Sequence, residues 1–291
     1  MTRHLRFIAL CAGVLATAGC TPTKPSPPPP GPEPPSAPQR LAALALFESA
    51  LVHAQVTTIP VNVYEGRVWL TDGPCVYDSG SVRASLDGGL PPTPGTSLPT
   101  GSHTYVVSFS DCQVSDWPAE SRLNGVVSAA YSTADWTNIT ATVSADSVRG
   151  QRLAVFSELQ DVTADGSAAW TNVRGSYSQW SYTPATGSRL VNNSSANVAT
   201  FGGGSYWDIS DIRPQGLRTT REQRFDHLKV AINGTEYTLN GSLHTAYDFS
   251  GRVIYTGEIR IINHKGTLVA RIYGVGGSDR MIEVREALVP F

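Results

Sequence analysis

The sequence predicts an all-β protein: an antiparallel meander forming a sandwich or an open rolled sheet, with one short N-terminal helix. Three observations predict it. Past Val56, apolar and polar residues alternate two by two in runs broken by Gly, Asn, Asp and Ser, the pattern of half-buried strands and tight turns. The chain is rich in Gly (27) and low in charge (16%), unlike a helical bundle. A helical period occurs over one stretch, residues 39–53, where Leu41, Leu44, Ala45, Leu51 and Val52 recur at helical spacing behind Pro38. That helix is expected to lay one apolar face on the sheet.

The C-terminal strands are the clearest. Leu228, Val230 and Ile232 alternate with polar neighbours and run into Asn233-Gly234, the dipeptide suited to a two-residue hairpin because both positions take φ > 0. Tyr237, Leu239, Gly241 and Leu243 continue the alternation. A turn at 248–251 leads to Val253, Tyr255, Ile259 and Ile261, and a further turn at 263–266 leads to Leu268, Ala270 and Ile272. These four strands make a meander with one apolar and one polar face. The earlier half echoes them: Leu123-Asn124-Gly125 followed by Ala130-Tyr131 repeats the spacing of Leu239-Asn240-Gly241 followed by Ala246-Tyr247. The β domain therefore spans 39–291, with subdomains at about 56–200 and 205–291 compatible with the pattern. Phe291 suggests the aromatic terminus of a membrane barrel, but Glu283 and Arg285 lie at the parity that would face lipid, so a barrel is not expected.

Ahead of this domain, residues 1–19 read as a secretory signal: Arg3, His4 and Arg6, then an apolar run from Phe7 to Ala16, then Thr17-Ala18-Gly19 before Cys20. The apolar run falls short of the ~20 residues that span a bilayer. The segment Thr-Ala-Gly-Cys resembles the lipobox of bacterial lipoproteins, with Thr17 standing where Leu is usual. The resemblance implies cleavage before Cys20 and acylation of that cysteine. Since Thr21 follows in place of Asp, it also implies delivery to the outer membrane, with the folded domain periplasmic or surface-exposed. Residues 20–38 are dominated by proline, which fixes φ and removes donors, so they form an extended spacer reaching about 50 Å. Cys75 and Cys112 remain as an even pair in an oxidising compartment, the pattern of a structural disulfide.

Composition and motifs exclude more than they assign. With 22 Lys plus Arg against 24 Asp plus Glu there is no basic excess for nucleic acid. There is no nucleophile elbow, phosphate loop or His-Glu-x-x-His, and no spacing that calls for a metal or cofactor. Asp208 and Asp211, three apart beside Trp207, read as a solvated turn. The single histidines read as solvated side chains on polar faces. Trp170, Trp180, Tyr182 and Trp207, crowded among Ser, Gly and Asn, are the candidate ligand-binding residues, able to stack on a glycan or cover an envelope protein, with a β core as the competing use of their rings. Strands bearing these features resemble those of uncharacterised proteobacterial envelope proteins, which implies no function. The expected protein is an outer-membrane lipoprotein whose β domain binds or scaffolds without catalysis, the alternative being a hydrolase acting on glycans or peptidoglycan.

Overall fold

The computed structural model describes residues 35–61, 73–75, 80–90, 98–113, 121–155, 158–175, 177–211, 220–247 and 252–291. The expected signal segment, Cys20 and all of the spacer before Pro35 lie outside the described residues.

The fold is all-β with a single α-helix, α1 (Ala37–Thr57). It begins two residues before the periodicity suggests and ends four after. Pro38 sits in its first turn, where a missing N–H costs nothing. Its burial is broad but one-sided. Ala42, Ala43, Leu46, Phe47, Ala50, His53, Ala54 and Val56 share a wide buried arc, while Leu41, Leu44, Glu48, Leu51 and Gln55 form the remaining half-buried or exposed stripe. Small alanines allow backbone to approach from several directions, and the sheet takes that approach.

Fifteen strands are described: β1 (Gly73–Pro74), β2 (Ser81–Leu86), β3 (Gly101–Cys112), β4 (Arg122–Thr133), β5 (Asn138–Val155), β6 (Glu158–Arg174), β7 (Tyr177–Pro184), β8 (Ser188–Asn192), β9 (Val198–Phe201), β10 (Ser205–Asp211), β11 (Thr220–Ile232), β12 (Thr235–Tyr247), β13 (Val253–Asn263), β14 (Leu268–Gly277) and β15 (Met281–Val284). All belong to one sheet, and every pairing is antiparallel. In the middle, β6 pairs with β7 along one length and with β8 along another, while β11 does the same with β10 and β9. Strands β1–β7 and β10–β15 each follow chain order across the sheet, and β7 meets β10 where β8 and β9 leave the main path to fill the other length of the β6–β11 gap. With no second sheet among the described residues, the rolled form is the one adopted. Helix α1 touches β4, β5, β6 and β8 on one side and β11, β14 and β15 on the other, so the sheet rolls around it.

Two ties close the structure. Gln39, in the first turn of α1, accepts from the Leu288 N–H at 2.6 Å and donates to the Leu288 carbonyl at 3.4 Å. Cys75 and Cys112 are at disulfide distance, with Cα atoms 5.4 Å apart and a sequence separation of 37. In the chain-entropy account a link of that length contributes about 3–4 kcal/mol. Phe291 packs against the core. On the outer face, Glu258 binds Arg260 and Arg271, and Glu283 binds Arg271 and Arg285. A lipid-facing surface has no place for such a ladder of charges across β13–β15.

The Leu-Asn-Gly echo has a structural cause. Phe109 faces Gly125, and the next pair is Cys112 with Leu123. Phe225 faces Gly241, and the next pair is Leu228 with Leu239. Each is a β-bulge with one extra residue, and the residue before the resumed pairing, Asp111 or His227, has φ 50°. A third bulge repeats the geometry between Ala145–Gly166 and Val148–Ala164, with Ser147 at φ 49°. The Asn or Asp before the glycine serves the bulge: Asn124 Oδ1 accepts from the Asp111 N–H at 2.8 Å, and Asp165 Oδ1 from the Ser147 N–H at 3.4 Å. At Gly241 (φ 113°) an added Cβ would lie 2.3 Å from the Glu258 carbonyl oxygen. Gly241→Ala is therefore expected to lose about 2–3 kcal/mol in urea unfolding. Gly234→Ala, at φ 85° in open space, is expected to lose only about 1 kcal/mol. Equal losses would contradict the bulge account.

Candidate functional site

At one end of the roll the inner face of β11–β13 changes character. Leu228, Val230 and Ile232 are fully buried beneath the helix, but beyond the bulge the inward residues are Phe225, Gln223 and Arg221. Opposite them α1 presents Phe47, Glu48, Leu51 and Gln55. Thr245 and Tyr247 of β12, Tyr255 of β13 and Arg280 ahead of β15 complete the walls of a groove of about 650 Å³. Its lining mixes aromatic and aliphatic surface with polar and charged groups in comparable number, and its volume is in the size range of small-molecule sites.

The wall behind the groove is an aromatic series. The Phe47 and Phe225 ring centroids are 5.5 Å apart, Phe225 and Tyr206 are 5.0 Å apart, and Tyr206 meets Trp180 edge-on at 5.2 Å. A polar chain runs beside it. Gln223 donates to the Tyr206 hydroxyl at 3.1 Å, and that hydroxyl donates to Asp208 Oδ2 at 3.2 Å. Arg221 donates to the Asp208 carboxylate through Nε at 2.9 and 3.1 Å and through Nη2. Asp208 is buried, while the Arg221 side chain is 39% exposed and reaches the groove. Burial works against the guanidinium charge, but the bond to Asp208 holds its pKa above the ordinary arginine value. Burial also pushes the Tyr206 phenol up, so it stays neutral and donates. Arg280 lies over the rings of Phe47 and Tyr255, 5.9 and 5.8 Å from their centroids.

A second polar group ties the helix to the sheet. His53 is completely buried; the Tyr182 hydroxyl donates to its Nδ1, and its Nε2–H donates to the Asp165 carbonyl at 3.0 Å. Burial lowers its pKa from 6.5 to about 4, partly offset by the Asp165 carbonyl and carboxylate.

The sequence candidates are distributed differently from a binding platform. Trp170 and Tyr182 are cross-strand partners and are both buried on the inner face. Trp180 shares that face and belongs to the wall behind the groove. Trp207 pairs with Ser181 and so points to the outer face, where its indole donates to Ser205 Oγ at 2.8 Å and Arg224 lies over its ring. The register brings Trp170, Trp180 and Tyr182 together but leaves Trp207 out, and the first and third fill the core. Two further expectations are corrected. Asp208 is not in a solvated turn: it is buried on β10 and bound by Arg221. His53 is not a solvated side chain but a core group. The Asp211 side chain lies outside the described residues. Sequence reasoning missed Arg221, Gln223 and Arg280. Comparison of the chain with protein families, curated proteins and solved structures returns no match.

The His53 pKa sets a pH dependence. Its folded value lies below the unfolded value, so the neutral form is favoured by folding. Its contribution is complete above about pH 6.5 and is lost as the pH falls towards 4. The loss totals about 3 kcal/mol. Unfolding free energies of wild type and His53→Gln, measured from pH 7 to 4, should converge as the pH falls, by about that amount. A constant difference would contradict the assignment.

Proposed function

We propose that this protein is an outer-membrane lipoprotein, held through Cys20 and its proline-rich spacer, whose β domain is a non-enzymatic binding module that takes its ligand in the groove between α1 and β11–β13. The groove carries the binding half of this reading: a concave site of about 650 Å³ between helix and strands, lined by aromatic and aliphatic side chains and by a comparable number of polar and charged ones. Asp208 supports binding over hydrolysis, because its buried carboxylate is taken up by Arg221 and the Tyr206 hydroxyl and does not face the groove as a free group. The signal-like segment and the resemblance of its end to a lipobox support the anchor half.

Two measurements test the two halves. Metabolic labelling with a fatty-acid analogue should tag the wild type and not Cys20→Ser, which should no longer pellet with membranes; labelling of the variant overturns the anchor. Native mass spectrometry of the full protein released from envelopes in mild detergent should show an added small-molecule mass that Thr245→Trp, filling the groove, removes. Identical spectra for the two proteins overturn the binding site.

A further inference from the structure

We infer that the groove is selective for an organic anion: an acid group held by Arg280 and Arg221, with an apolar body lying against Phe47, Leu51 and Tyr255. This rests on the groove being the binding site and adds the chemistry of what it takes.

The argument begins with how the two guanidinium groups are held. Arg221 gives Nε and Nη2 to the buried Asp208 carboxylate, which fixes the plane of the group. Its side chain, which also neighbours the Tyr206 hydroxyl, lines the groove and brings its positive charge there. Arg280 has no carboxylate partner among the described residues. The rings of Phe47 and Tyr255 hold it instead. Ring faces satisfy the charge in part but take none of the in-plane N–H groups, which stay available to an acceptor. Glu48, the carboxylate on the helix side, has an interaction of its own. The groove therefore offers two cations beside apolar surface, Arg221 fixed by Asp208 and Arg280 with its in-plane donors unspent. A carboxylate is the group that matches a guanidinium fork, and the neighbouring aromatic and aliphatic surface favours a flat apolar body over a bare inorganic ion.

Isothermal titration of the full lipidated protein in a neutral detergent, with matched blanks, tests this with three probes of one shape: 2-naphthoate, the neutral 2-naphthamide and the cationic 2-naphthylmethylammonium. Naphthoate should bind about 10-fold or more tighter than the amide, and the cation weakest. Arg280→Gln should remove the preference while leaving the amide unchanged, and Arg280→Lys should keep part of it. Equal binding of naphthoate and amide, or a preference that survives Arg280→Gln, overturns the anion selectivity and leaves the groove as a site. Failure of all three probes overturns the inference. The binding site itself then stands or falls on the native mass spectra of Thr245→Trp.

Discussion

A single sheet has one apolar face and nothing of its own to cover it. Here that face is covered by α1, and the rest of the structure follows from this. The helix must come close to the sheet over most of its girth, which is why Ala42, Ala43, Ala45, Ala50 and Ala54 line its buried arc. The sheet must roll so that strands from both halves of the chain reach it. Polar groups on the helix then have no water, and His53 is tolerated because both ring nitrogens are satisfied by the sheet. Where the helix surface turns to Glu48 and Gln55 and the strands to Arg221 and Gln223, the seal opens and the groove begins.

The bulges serve the same requirement. A flat sheet cannot wrap a helix, and bulges add local bend and twist. The same bulge geometry occurs in the β3–β4, β5–β6 and β11–β12 pairs, so curvature is distributed along the sheet. Each places a glycine opposite the last regular pair and lets a neighbouring strand come close.

Much of the fold was legible in the sequence because strand alternation and Asn-Gly turns act locally. The hairpin at Asn233-Gly234 and the strands β11–β14 follow directly from them. The helix was legible as an element with one buried side, but not in its length or in the width of that side, since Leu44 and Leu51 are only half-buried while Ser49 and His53 are buried. The groove was illegible for a specific reason. Extrapolated back from Leu228, Val230 and Ile232, strict alternation puts Arg221 and Gln223 on the polar face. The bulge after Phe225 shifts the parity and turns both inward. Trp207 misled for a related reason, since strand pairing, not proximity in sequence, assigns it to the outer face. Arg280 lies between strands, where no periodic signal exists.

The tie between Gln39 and Leu288 joins the first described helical turn to the last residues of the chain. A chain made from its N-terminus therefore produces the core helix first and the strands and tail that complete its surroundings, β14, β15 and Leu288, last. Until β14, β15 and Leu288 have been made, α1 has no finished socket, and its apolar surface has to be shielded in some other way. Contacts between such distant parts of the sequence make assembly slow, because loop closure comes before any stabilisation. A chain stopped short of β14 would lack the closing wall of the roll and leave part of the apolar arc of α1 uncovered.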